Sequence, residues 1–247
     1  MNPAIELLAA PNQVLSTLCP IHGYPFIKMG THQICKACAN ENLEQSKLQH
    51  QKDLNNRLLQ SRIKGAGLSH RYIQCGFSNY IIATDEQKHV VECCQRFTEQ
   101  FLNGSKSNLI IFGTPGSGKT HLSSAIIRNV IHRSKLSARY VTSSYITQTI
   151  MNSWNITDQS EEQWINFFAD FDLLVIDEYG LHDRHTTRLE LIHKVLYRRY
   201  DLLKPTIIIS NFTLKDLEQD LGVRLWSRLH ENQLLSAACY WTDYRMT

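Results

Sequence analysis

The sequence predicts an α/β fold: a parallel sheet flanked by helices, preceded by a small cysteine–histidine module and a helical linker. Three observations carry this prediction. From Thr84 onward, short near-continuous apolar runs alternate with helical stretches, the pattern of strands covered on both faces. A glycine-rich stretch, Gly113-Thr-Pro-Gly-Ser-Gly-Lys-Thr120, joins one apolar run directly to a helix. Near the N-terminus two pairs of metal-ligating residue types, Cys19/His22 and Cys35/Cys38, stand twelve residues apart.

The elements follow in order. Residues 1–18 read as a short amphipathic lead and residues 19–38 as the Cys/His cluster. From Glu41 to Lys64 the chain is polar and free of Gly and Pro, with Leu54, Leu58, Leu59 and Ile63 at roughly helical spacing. Gly65-Ala-Gly67 breaks that helix and sets the expected divisions: a module over 1–40, a linker over 41–66 and a main domain over 67–247. Thr84–Leu102 reads as a helix with Thr84 or Asp85 as N-cap. Strands are expected at 108–112, 138–142, 171–176 and 206–210. Helices are expected at 120–133, 145–154, 188–203, 214–220 and 224–230.

Composition bounds the function. Hydrophobic residues make up 43% of the 247 and charged residues 20%, ordinary for a globular protein with a full core. No apolar run reaches bilayer length. The apolar start lacks a leading positive charge and a cleavage site, so no signal peptide is read and a cytoplasmic, membrane-free protein is expected. Seven cysteines, two of them adjacent, make a poor disulfide framework; Cys75, Cys93, Cys94 and Cys239 read as small buried apolar residues. A net charge of +3 does not announce a nucleic-acid binder, but residues 1–70 carry the whole excess.

The glycine-rich stretch matches G-x-x-x-x-G-K-[ST] at every fixed position. Chance gives such a match in roughly one chain of this length in a hundred, and the strand before and helix after lower that further. The pattern predicts an ATP site. Gly113, Thr114, Pro115, Gly116, Ser117 and Gly118 wrap backbone N–H groups around phosphate, and the helix N-terminus adds its dipole. Lys119 reaches the β- and γ-phosphates, and Thr120 offers its hydroxyl to Mg²⁺.

Leu173-Leu-Val-Ile-Asp177-Glu178 places two acids at a strand end. Asp177 is expected beside Mg²⁺, and Glu178 as the general base on an attacking water. A small-molecule kinase needs no such base, so the pair favours hydrolysis. Asn211 ends another buried strand at the same sheet edge, within reach of the γ-phosphate and the water. Arg224 and Arg228, four apart on one helical face, read as a finger toward ATP on a neighbouring subunit. Arg245 is a further candidate, sensing phosphate in cis.

These elements, in this order, resemble those of AAA+ ATPases. Within that class "FGTPGSGKTHLSSAI", "DLLVIDEYG" and a chain that ends soon after the arginine helix in "YWTDYR" resemble the DnaC/DnaI helicase loaders and the related IstB transposition helpers. The resemblance spans about residues 67–247. It implies that Arg228 is the arginine finger and Arg224 its companion. It also implies that the segment from Ser143 to Trp154 touches single-stranded DNA, with Tyr145 and Trp154 available for base stacking.

Cys19, His22, Cys35 and Cys38 supply four tetrahedral Zn²⁺ ligands on two tight knuckles, with His32 as an alternative to His22 and a metal-free thiol segment as the competing reading. Four protein ligands leave no open position, so the expected role is structural. Helicase loaders use a small N-terminal module to grip the hexameric replicative helicase. The expected function is therefore that of an ATP-hydrolysing helicase loader in DNA replication, binding the helicase and single-stranded DNA and self-associating through its ATP sites. The alternatives are an IstB-like transposition helper and a P-loop small-molecule kinase.

Overall fold

The computed structural model describes residues 13–181 and 186–243. The chain divides into two units, Met1–Leu58 and Leu59–Thr247.

In the first unit β1 (Gln13–Leu18), β2 (Pro25–Met29) and β3 (His32–Ile34) form an antiparallel sheet in that order. The expectation of an amphipathic lead is corrected over residues 13–18. They form a strand, with Val14 opposite Ile27 and Leu18 opposite Pro25, because the run Val-Leu-Ser-Thr-Leu finds a cross-strand partner after the first knuckle. Residues 1–12 lie outside the described residues. The first helix, α1 (Lys36–Gly65), starts before the expected Glu41 and takes Cys38 into its first turn. Of its four expected apolar contacts, Leu54 and Leu58 are exposed, whereas Leu59 and Ile63 join the core of the second unit.

The second unit contains α2 (Asp85–Leu102), β4 (Asn108–Gly113), α3 (Lys119–Arg133), β5 (Ala138–Thr142), α4 (Ser143–Ser153), α5 (Glu161–Ala169), β6 (Leu173–Tyr179), α6 (Thr186–Asp201), β7 (Thr206–Ser210), α7 (Leu214–Glu231) and β8 (Leu234–Cys239). Its five strands are all parallel, in the order β5-β6-β7-β4-β8. Strand alternation builds two cores. Leu109, Ile111, Val175, Ile207 and Ile209 face α2 and α3, while Ile110, Phe112, Leu174, Ile176 and Ile208 face α4, α6 and α7. Cys75, Cys93, Cys94 and Cys239 are buried as small apolar side chains.

In the second unit a helix and a strand go beyond the sequence expectation. Helix α5 is held by a Ser160–Gln163 capping box, and β8 pairs with β4 from Asn108–Leu234 to Gly113–Cys239. Thr84 is the N-cap of α2, its side chain accepting from the Gln87 amide. The two helical pieces expected around Leu214 and Arg224 are joined as α7 across a kink at Gly222 (φ 71°, ψ 156°).

Candidate functional site

The parallel register sets the C-terminal ends of the strands at one edge: Phe112 lies beside Ser210, and Thr142 beside Asp177. A cavity of about 970 Å³ opens there, lined by Pro115–Thr120 of the glycine-rich loop, Tyr140, Asp177, Glu178 and Asn211, together with Asn79 and Tyr80. A pocket at the carboxyl edge of a parallel sheet, of ligand-binding size, is the expected place for a nucleotide.

The loop is shaped by close approach as well as by conformation. A Cβ on Gly113 would lie 2.2 Å from the Cys239 carbonyl oxygen, so only glycine lets β8 pass there. Gly118 is left-handed (φ 88°) at the entry to α3. Lys119 is buried, and its ammonium donates to the Gly113 and Thr114 carbonyls at 2.9 and 2.7 Å. The next hydroxyl, Thr120 Oγ1, donates to Asp177 Oδ2 at 2.9 Å.

Asp177 is buried, and three donors satisfy it. Besides Thr120, the Tyr140 hydroxyl donates to Oδ2 at 2.6 Å and the Glu178 amide to Oδ1 at 2.7 Å. Burial, with Asp177 alongside, raises the Tyr140 hydroxyl well above the ordinary tyrosine value, so it stays a donor. Glu178 has φ 58°, and the β6–β7 ladder shifts register between Ile176 and Tyr179. That left-handed residue breaks strand alternation and leaves an exposed carboxylate on the cavity wall; backbone strain of this kind gathers at functional sites. Because β7 lies between β4 and β6, Asn211 stands between the loop and the acid pair. A glycine cradle, a buried lysine and an oxygen pair suited to a hard cation fit a nucleoside triphosphate with Mg²⁺.

The arginines lie elsewhere. Arg224 is exposed on α7, and the Arg228 guanidinium lies 4.9 and 4.7 Å from the Tyr197 and Tyr200 ring centroids. Neither is among the described residues that line the cavity. Arg245 lies outside the described residues. Tyr140 is a site residue that the sequence did not reveal. Its only signal is a polar aromatic on the face of β5 shared with Thr142.

In the first unit the ligand atoms of Cys19, His22, Cys35 and Cys38 all lie within 4.8 Å of one another. Cys19 and Cys38 sulfurs are 3.6 Å apart, and His22 Nδ1 is 3.9, 4.0 and 3.3 Å from the sulfurs of Cys19, Cys35 and Cys38. A tetrahedral zinc with bonds of about 2.0–2.3 Å has edges of about 3.5–3.8 Å, so the donors fit such an ion. His22 Nε2 meets Glu41 Oε1 at 2.9 Å, which turns Nδ1 toward the sulfurs as a ligating imidazole requires. The backbone N–H of His22 stabilises the Cys19 thiolate and lowers that thiol to about 6.

Fold and cavity together define a P-loop nucleotide-binding protein of the AAA+ architecture. A family model described as IstB-like ATP binding protein matches residues 41–226, and the chain belongs to that family. The replicative helicase loader DnaC of Escherichia coli strain K12 is 26% identical over 235 residues, 94% of this chain and 94% of DnaC. DnaC of Buchnera aphidicola subsp. Acyrthosiphon pisum is 30% identical over 208 residues, 83% of this chain and 84% of that protein. Among solved structures, that of the DnaC helicase loader matches with a TM-score of 0.61 at 22% identity, over 68% of this chain and 99% of that one. The DnaI structure matches at 0.57 and 19% identity, over 71% and 95%. These structural likenesses speak to the fold. Among the described residues no helix is long and apolar enough to cross a membrane.

Proposed function

We propose that this chain is a cytoplasmic, ATP-hydrolysing loader of a hexameric replicative DNA helicase. The observation that carries the reading is the coincidence of a complete P-loop site with relatives named replicative helicase loader that match nearly the whole chain. In this reading residues 1–40 dock on the helicase, 41–66 link, and 67–247 bind and hydrolyse ATP.

The loop amides from Gly113 to Gly118 and the Lys119 ammonium hold the phosphates. Thr120 and Asp177 hold Mg²⁺, which neutralises phosphate charge when bound. Glu178 draws a proton from the attacking water, and Asn211 orients that water against the γ-phosphate. Arg228, with Arg224 beside it, reaches ATP on a neighbouring copy of the chain and stabilises charge there; Arg245 reads phosphate in cis. That Arg224 and Arg228 do not line the cavity of their own subunit supports a role for them in trans. Cys19, His22, Cys35 and Cys38 hold a structural Zn²⁺. The assembled ATPase units contact single-stranded DNA, and hydrolysis releases the loader.

The test is capture of the replicative helicase of the same source by the full chain, with ATP and with Lys119→Ala. Helicase retained by the wild-type chain supports the reading. Absence of capture in every nucleotide state contradicts it.

A further inference from the structure

One carbonyl of the phosphate loop accepts hydrogen bonds from two distant aromatic side chains. The Tyr80 hydroxyl and the Trp241 indole N–H each donate to the Ser117 oxygen at 3.0 Å. Tyr80 follows the 3₁₀ turn Phe77–Asn79, and Trp241 follows β8. Both side chains are half-buried against the core beneath α2 and α3.

Two further contacts tie the same segments to the loop. Thr114 Oγ1 donates to the Trp241 carbonyl at 2.7 Å. A Cβ on Gly118 would come within 2.8 Å of the Tyr80 ring, so the ring lies directly against that glycine. The turn that carries Tyr80 is itself pinned, because His121 of α3 meets the Gly76 carbonyl at 2.9 Å and Arg128 donates to the Cys75 carbonyl at 2.9 Å.

A trans peptide unit is planar, and its C=O and N–H point in opposite directions. Holding the Ser117 carbonyl toward Tyr80 and Trp241 therefore aims the Gly118 N–H the other way. Gly118, on the C-terminal side of this peptide (φ 88°), carries no Cβ to hold it, so the peptide is free to flip. We propose that Tyr80 and Trp241 are positioning residues that lock the Ser117–Gly118 peptide with its N–H directed at bound phosphate. The proposal rests on the reading of this loop as the ATP site. The two side chains fix the loop in its binding-competent conformation and take no part in the chemical step. Their removal lowers the competent fraction, and apparent affinity falls by that fraction.

The test uses the full chain with Tyr80→Phe, Trp241→Phe and the double variant. ATP and ADP affinities come from calorimetry, kcat from hydrolysis at saturating ATP, and stability from thermal melting without nucleotide. A hydrogen bond of about 1 kcal/mol corresponds to about fivefold in population. Each single variant is expected to weaken ATP and ADP alike by up to about fivefold, and the double variant more, with kcat and the melting temperature near wild type. Tyr80→Phe removes one oxygen atom, so it keeps the test decisive even if Trp241→Phe disturbs folding. Wild-type affinity in Tyr80→Phe and the double variant overturns the proposal while leaving the ATP site standing. So does a loss confined to kcat. A wild-type chain that binds no ATP removes the site reading and the proposal together.

Discussion

Removing metal from the Cys/His cluster should unfold the first unit and leave the second intact. Among described residues 13–58, Cys19 and Cys35 alone are buried, at 3% and 2% exposure. Val14, Leu18, Ile21 and Tyr24 are more than half exposed. Burial of two side chains, even at the figure for larger apolar residues, gives about 3–6 kcal/mol. Structural zinc binding is worth about 10–16 kcal/mol in small modules, as much as the net stability of a typical domain. The second unit has its own two cores, and none of the four ligands belongs to them. Metal analysis should find about one zinc per chain, falling sharply in Cys35→Ser. Chelation should open residues 13–35 to protease while a fragment near 59–247 survives. A zinc-free chain whose N-terminal residues stay protease-resistant would show that the metal does not hold this unit together.

Other perturbations separate binding, chemistry and stability. Glu178→Gln should keep ATP affinity and lower kcat by about 10²–10⁴, as read by hydrolysis beside nucleotide binding; equal losses in both would count against the base. Arg62 of α1 donates to the Ile131, Ser134 and Leu136 carbonyls at 3.0, 2.8 and 2.6 Å, placing a cation over the C-terminal end of α3. Arg62→Ala should destabilise the second unit by about 1–3 kcal/mol in denaturant unfolding, with ATP binding retained in the folded fraction. His193, which meets the Tyr179 hydroxyl at 3.1 Å, has its imidazole lowered from the ordinary value by burial, against the pull of Asp220 and Glu190. The unfolded chain then binds the proton more readily than the folded one. This group's contribution is present above the ordinary histidine value of about 6.5 and is lost as pH falls below it. His193→Gln should flatten the stability–pH curve in that window; an unchanged slope would exclude His193 as its source.

The sheet was legible where the chemistry is local. Four apolar runs were readable as strands, and the loop motif placed Lys119 and Thr120 at a helix start, since a strand–glycine loop–helix unit carries its own signal. The four Cys/His side chains that gather within 4.8 Å of one another stood out by their spacing, with His32 as the alternative to His22. Strand β8 was hidden because Leu-Leu-Ser-Ala-Ala-Cys is weakly β-forming and becomes a strand by pairing along β4. Helix α5 is nine residues long, too short for its period to stand out. Strand β1 needed a partner beyond the knuckle. Within the site, the acid pair showed in sequence, but the left-handed turn at Glu178 and the Tyr140 bond to Asp177 are tertiary facts. Tyr80 and Trp241 stand 37 and 124 residues from Ser117, so no local pattern joins them to the loop.

The most direct measurement is transfer of the replicative helicase onto a closed circle of single-stranded DNA, with the purified full chain and ATP. Circle-bound helicase should rise with the wild-type chain, fall to background with Lys119→Ala, and stay trapped with the loader in Glu178→Gln. Helicase loading that is the same with and without the chain would contradict it.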